Sequence, residues 1–203
     1  MYRDPKRHIF LVLEGVDGTG KTTIARRISN AIGGQYVKSP PQPFAGIKQH
    51  VLETATPTAR FTYFLCSNIQ LSSLAESLLD RSHVVSDRYI WSTLAYHAAI
   101  ENITPSRLKH LVAPFQRFLI MPDLVVFLTV GREVQLLRLK DRVDDKLQRD
   151  LLMSDRFQQR LRKAYRSVRD FFKVTWMEID TSHTSVSATV HAIEEVIKQG
   201  SKT

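Results

Sequence analysis

Eight residues constrain the fold of this chain more than any others. Gly15-Val16-Asp17-Gly18-Thr19-Gly20-Lys21-Thr22 matches G-x-x-x-x-G-K-[ST]. A continuous apolar run at 9–13 precedes it, as in a strand buried on both faces. A helical pattern opens at Lys21, runs to about Ile32 and ends near Gly33-Gly34. Strand, glycine-rich turn and helix start are the context this motif needs. Glycine lets the backbone fold tightly enough for its N–H groups to converge on phosphate oxygens, and the helix start adds positive potential. Lys21 is placed to neutralise the outer phosphates of a nucleoside triphosphate, and the Thr22 hydroxyl to ligate Mg2+. Gly15, Asp17, Gly18, Thr19, Gly20, Lys21, Thr22 and Thr23 form the expected ATP-binding set, with Lys21 also catalytic.

The rest of the 203 residues alternates in the same way. Runs at 35–38, 83–86, 124–130 and 174–179 read as further strands. Helical periodicity covers 57–79, 91–100, 105–118, 133–140, 155–172 and 185–198. Ser39-Pro40-Pro41-Gln42-Pro43 reads as an extended loop, because proline lacks a donor and disfavours helix in the residue before it. Strands alternating with helices imply an α/β, three-layer P-loop NTPase fold: a five-stranded parallel sheet flanked by helices, in one domain spanning 1–203. Ligands bind such sheets at the carboxyl ends of the strands. Functional residues are therefore expected just after Leu13, Lys38, Ser86, Val130 and Ile179.

The net charge of +9 calls for an anionic partner, and nucleic acid, a membrane surface and phosphorylated metabolites all fit it. Much of the excess lies between Arg132 and Lys173, interleaved with acids, as on the solvated faces of amphipathic helices. With 43% hydrophobic and 24% charged residues the chain has a globular balance. Its apolar runs fall far short of the roughly 18 residues of a membrane helix. Cys66, the single cysteine, excludes an internal disulfide and a cysteine-cluster metal site. Residues 1–8 are polar and lack the apolar core of a secretory signal. A soluble, cytoplasmic protein is expected.

Neither N-K-x-D nor a D-x-x-G beyond the phosphate loop is present, so a GTP switch is disfavoured. Asp87-Arg88-Tyr89 follows the third strand. Asp87 there faces the phosphate loop and serves as a metal ligand or orients the acceptor. Arg88 offers a planar fork suited to a second phosphate. The plainer alternative is that the two pair with each other or cap the next helix.

At these residues the chain resembles the thymidylate kinase family. Leu13 to Thr23 looks like that family's phosphate loop. Asp87 to Tyr96 resembles its D-R-Y-x-x-S-x-x-A-Y segment, and Pro122 to Leu128 its P-D-L-V strand. Glu133, Val134 and Arg138 fall on the helix before its lid, and 157–165 looks like the helix closing that lid. The resemblance implies transfer of the γ-phosphate of Mg-ATP to a deoxynucleoside monophosphate, dTMP or a related pyrimidine nucleotide. It gives Asp17 the acceptor's 3′-hydroxyl or a metal water, and gives Lys38 and Arg88 the acceptor phosphate. Phe64 then stacks on the base, and Ser92 and Tyr96 line the acceptor site. Gly18 stands where one group of the family carries Arg. The lid, at about 139–156, is therefore expected to supply positive charge through Arg142, Lys146 or Arg149, with Arg160 on the following helix as a further candidate. A homodimer is implied, and no nucleic-acid or membrane partner.

The chain departs from the family's pattern at groups that would read the base. Asn68 replaces an Arg, and His97 a Gln. An Asn amide both donates and accepts, whereas Arg only donates, so a different pyrimidine such as cytosine fits too. Lys38 in place of Arg loses a bidentate fork. Three rivals remain. Deoxynucleoside kinases carry Glu-Arg-Ser where this chain has Asp87-Arg88-Tyr89. A non-catalytic ATP-binding regulator fits the drift at Asn68 and His97 but not the intact Lys21, Thr22, Asp87 and Arg88. A nucleic-acid-binding protein fits the charge alone.

Overall fold

A computed structural model describes residues 8–140 and 152–200. Five strands, β1 (Phe10–Glu14), β2 (Gln35–Lys38), β3 (Val84–Asp87), β4 (Leu124–Thr129) and β5 (Thr175–Asp180), form one all-parallel sheet in the order β2-β3-β1-β4-β5. β1 is buried along its whole length. Its side chains alternate between faces as strand geometry demands. Phe10 and Val12 enter one core, with Leu65, Leu71, Trp91, Leu94, Leu161 and Tyr165. Leu11 and Leu13 enter the other, with Ile24, Ile28, Val126, Leu128 and Ile193.

The second face is covered by α1 (Lys21–Ala31) and α8 (Val186–Gly200). The first is covered by α3 (Pro57–Leu79), α4 (Ile90–Glu101), α5 (Pro105–Val112) and α7 (Asp155–Val168). Two of these helices start on a Thr-Pro pair. Thr56 and Thr104 accept from the N–H groups of Ala59 and Arg107, and a proline fills the first turn. α6 (Arg132–Leu139) follows β4 across Gly131.

The sheet and its flanking helices are as expected from sequence, but three segments differ. Residues 39–47 are not extended. Ala45 N–H donates to Pro41 O at 2.9 Å, a 3-10 turn follows at Phe44–Ile47, and a short helix, α2 (Lys48–Thr54), comes next. Proline's fixed φ suits such turns as well as extended chain. The helix expected at 105–118 gives way after Val112 to a 3-10 segment, Ala113–Phe118, because Pro114 lacks the N–H an α-helix needs. The one expected at 155–172 ends at Val168, where Arg169–Phe171 turns the chain and Phe172 packs edge-on against Trp91 at 5.5 Å. β1, β3 and β5 each run one residue further than expected. The added residues, Glu14, Asp87 and Asp180, are all acidic.

β1 ends directly in a turn that only glycine can make. Gly15 has φ +138°, and a Cβ there would lie 2.3 Å from Leu128 O on the neighbouring strand. Gly15→Ala is therefore expected to cost on the order of 3 kcal/mol, roughly 6–12 °C in Tm for a chain of this size. Gly33→Ala meets no atom within 4 Å, although its φ is +66°. That variant should lose at most a third as much in the same thermal scan; equal losses would refute the clash at Leu128.

Candidate active site

The carboxyl ends of β1 and β3 lie side by side, with Leu13 opposite Asp87 and Arg88 N–H donating to Leu13 O at 2.9 Å. The two sequence signals, far apart in the chain, thus meet at one edge of the sheet.

Residues 15–20 wrap over the start of α1. Gly18 has φ +83°, and a Cβ there would press on Gln135 Cγ at 3.1 Å, so this loop has room only for glycine at 18. Lys21 is 6% exposed. Its ammonium donates to Val16 O at 2.7 Å and to Thr19 Oγ1 at 3.3 Å, which holds it against the loop. Burial and then repulsion by Arg88 lower its pKa to about 8, against the pull of Asp17, Asp87 and Glu14. An arriving phosphate dianion would offset both effects. Thr22 Oγ1 donates to Asp87 Oδ2 at 2.6 Å, and Tyr36 OH reaches the same oxygen at 3.3 Å. A hydroxyl and a carboxylate at the phosphate end of the loop are hard oxygen donors of the kind Mg2+ takes while keeping most of its shell as water and phosphate oxygen. The residues present therefore fit an ATP-bound Mg2+. Thr23 is exposed on the first turn of α1.

Arg88 occupies the centre. It holds φ +75°, a strained value for a residue with a side chain. Nη2 meets Asp17 Oδ1 at 2.6 Å, while Nη1 donates to Ser92 Oγ at 2.8 Å and to Gly15 O at 3.2 Å. Tyr96 OH donates to the other Asp17 oxygen. Burial alone would raise the Asp17 carboxyl, but Arg88, Lys21 and these hydrogen bonds reverse that and hold it at about 2. Asp17 is thus an anion throughout the neutral range, paired and pointed by two residues of the D-R-Y segment.

Glu14 supports this centre, although nothing in the sequence singles it out beyond a carboxylate at the end of an apolar run. It is wholly buried. It accepts from the N–H groups of Tyr89 and Ser92 at 2.9 and 3.0 Å and from Ser92 Oγ at 2.5 Å, which ties β1 to the first turn of α4. Burial raises its pKa against the hydrogen bonds from Ser92 and the charge of Arg88. Tyr165 on α7, also unforeseen, brings its hydroxyl to Ser92 Oγ at 2.8 Å and to Gly15 O at 3.2 Å. Ser92 is therefore committed to Glu14, Arg88 and Tyr165.

The other expected residues lie on β2, α3 and α4. Lys38, exposed at the end of β2, pairs in register with Asp87. Lys48 on α2, which the sequence did not flag, is a half-buried cation. Burial lowers its pKa, and so do the nearby charges of Arg88 and Lys38. Phe64 is half-buried, one turn before Asn68 on α3. Asn68 lies between α3 and α4, where Nδ2 donates to Thr93 Oγ1 at 2.8 Å. His97 stacks face to face on Phe61 with centroids 4.3 Å apart.

A polar network joins the loop to the helices behind it. Gln135 Nε2 donates to Asp17 O at 2.8 Å and to Gln158 Oε1 at 3.0 Å, and Gln158 Nε2 donates to Leu152 O at 3.1 Å. Arg138 reaches Gly18 O at 3.2 Å and Thr181 O at 2.7 Å. Arg142, Lys146 and Arg149, the expected lid cations, lie outside the described residues. Arg160 is on the exposed side of α7. Among the described residues, no helix is long and apolar enough to cross a membrane.

Comparison with known proteins places this arrangement. The family model for thymidylate kinase matches residues 13–193. A probable thymidylate kinase of Methanococcus vannielii is 26% identical over 193 residues, covering 94% of this chain and 92% of that protein. The thymidylate kinase of Carboxydothermus hydrogenoformans is 33% identical over 171 residues, 77% of this chain and 81% of that one. Among solved structures, thymidylate kinase from Candida albicans superposes with a TM-score of 0.75 at 21% identity, covering 96% of this chain and 92% of that chain. A deoxyadenosine kinase from M. mycoides reaches 0.70 at 18% identity, covering 94% and 100%.

Proposed function

Because the chain belongs to the thymidylate kinase family, we propose that it transfers the γ-phosphate of ATP to a pyrimidine deoxynucleoside monophosphate of the dTMP class. The observation that carries this reading is the triad at the strand ends: Lys21 on the phosphate loop, Asp87 bonded to Thr22, and Arg88 paired to Asp17. The loop N–H groups and Lys21 hold the donor's phosphates, and Thr22 and Asp87 hold Mg2+. The metal, when bound, draws charge from the oxygens of the transferring group. Arg88 grips the acceptor phosphate with a fork that Asp17 and Ser92 keep aimed, and Lys38 and Lys48 add positive charge on the same side. Asp17, fixed by Arg88 and Tyr96, orients the acceptor's sugar. Catalysis here is positioning and charge stabilisation, and the protein forms no covalent bond to the phosphoryl group.

This reading treats the chain as a single kinase domain whose lid, at about 139–156, brings Arg142 or Arg149 over the transferring phosphate. It includes pairing as a homodimer, on family resemblance alone. Three cations on the acceptor side favour a phosphate-bearing acceptor over a nucleoside. ADP release with Mg-ATP, scored against nucleosides and their monophosphates, tests it. Strong turnover is expected with a pyrimidine monophosphate, none with the matching nucleoside, and none after chelation of the metal. Turnover confined to nucleosides would replace this reading with that of a deoxynucleoside kinase.

A further inference from the structure

Gln135 on α6 is 0% exposed, and every hydrogen-bonding position of its amide is taken. Oε1 accepts from Arg132 Nη1 at 3.1 Å and from Arg162 Nη2 at 3.3 Å. Nε2 donates to Gln158 Oε1 at 3.0 Å and to Asp17 O at 2.8 Å. Arginine only donates, so the two guanidinium groups fix which end of the amide is oxygen and leave the nitrogen for the phosphate loop. The approach is close as well as polar, since a Cβ on Gly18 would meet Gln135 Cγ at 3.1 Å. The next carbonyl, Gly18 O, is drawn towards the same helix by Arg138 at 3.2 Å. A trans peptide is planar, with its N–H directed opposite to its C=O. Asp17 O points to α6, so the N–H of Gly18, in the same peptide, points away from α6. Among the described residues no backbone acceptor takes that N–H.

We infer that Gln135 is a positioning residue for the phosphate donor: by holding Asp17 O it aims the N–H of Gly18 at the outer phosphates of ATP. The inference rests on the phosphate-loop reading above and adds to it a residue of α6, far outside the motif in sequence. Converging N–H groups bind phosphate only while their peptides keep one orientation, and a glycine at φ +83° has little of its own to keep it there. Gln135 supplies that restraint from behind the loop. The acceptor side has its own restraint, because the Asp17 carboxylate is pinned by Arg88 and Tyr96. Loss of Gln135 therefore acts on the donor and spares the acceptor.

The experiment measures calorimetric Kd for ATP and for thymidylate on the wild-type protein, Gln135→Leu and Gln158→Leu. Gln135→Leu removes the donor to Asp17 O. Gln158→Leu cuts the amide bonds between α6 and α7 but leaves Asp17 O held. Gln135→Leu should weaken ATP about 10-fold and leave thymidylate unchanged, and Gln158→Leu should leave both unchanged. Undiminished ATP affinity in Gln135→Leu, equal losses on the two nucleotides, or an equal ATP loss in Gln158→Leu would overturn the inference and make Gln135 a brace between α6 and α7. If Gln135→Leu does not fold, the wild-type protein decides alone. In isotope-labelled protein the Gly18 N–H resonance should move downfield when Mg2+ and the β,γ-imido analogue of ATP are added, and an unmoved resonance would overturn the inference. Failure of the wild-type protein to bind ATP at all would remove the phosphate-loop reading together with it.

Discussion

Lys21→Met should lower kcat/KM by about a thousandfold while leaving the fold intact, since a single charged donor aimed at developing negative charge is worth 10²–10³ or more in a water-poor site. The structure explains why the fold survives. The carbonyl that Lys21 holds, Val16 O, also accepts from Thr19 Oγ1 at 3.0 Å, so it keeps a partner when the ammonium goes. Burial disfavours the Lys21 cation, which is why its pKa falls to about 8; a methionine stem fills the same space without that penalty. Steady-state turnover and a thermal scan settle it together. Undiminished turnover would refute the phosphate-loop assignment, and a large fall in Tm would mean that Lys21 holds the loop rather than the nucleotide.

The sheet was legible because its central strands β1, β3 and β4 are largely buried, with β1 and β4 reading as apolar runs, and because two helices announce themselves with Thr-Pro. The order of the strands was not legible. Register and order are set by which faces pack together, and nothing local in 35–38 or 84–87 states that they pair. α2 was missed because none of Lys48–Thr54 is fully buried and the segment has no apolar stripe to betray it. Its lysine therefore entered the site unannounced.

Within the site, most of the residues proposed to hold phosphate lie in compact motifs and were visible. Several of the residues that aim them were not. Glu14, Gln135 and Tyr165 reach the phosphate loop and the start of α4 through partners 73 to 151 positions away in the chain, and such pairings have no sequence period. A glutamate ending an apolar strand was the one available hint, since an ionisable group there must be capping something. Asn68 shows the converse. Sequence marked it as a departure from a family pattern, but only the packing of α3 on α4 shows which of its two polar atoms is unpartnered.

Arg88→Met is expected to abolish most acceptor turnover, about a thousandfold in kcat/KM, with Arg88→Lys recovering only part of it. The backbone explains the asymmetry. Arg88 stays at φ +75° although strain of this kind costs on the order of 1–3 kcal/mol. It persists because Glu14 accepts from the N–H groups of Tyr89 and Ser92, at the start of α4, and Leu13 O accepts from that of Arg88 itself. The strained turn aims the fork so that Nη2 meets Asp17 and Nη1 meets Ser92 and Gly15 O at once. Lysine carries the charge but has one nitrogen for these directions. Loss of the guanidinium also changes the acid limb of stability. Asp17 is held at about 2, below its ordinary value, so it contributes stability above that ordinary value which is lost as pH falls through the native one. Without Arg88, burial becomes the larger influence and the native pKa rises, so the acid transition should begin at higher pH in Arg88→Met. An unmoved transition would mean that Lys21 and Tyr96 suffice to hold the carboxylate. Unchanged kcat/KM for the monophosphate would mean that the strained arginine braces the phosphate loop and leaves the acceptor's phosphate to Lys38 and Lys48.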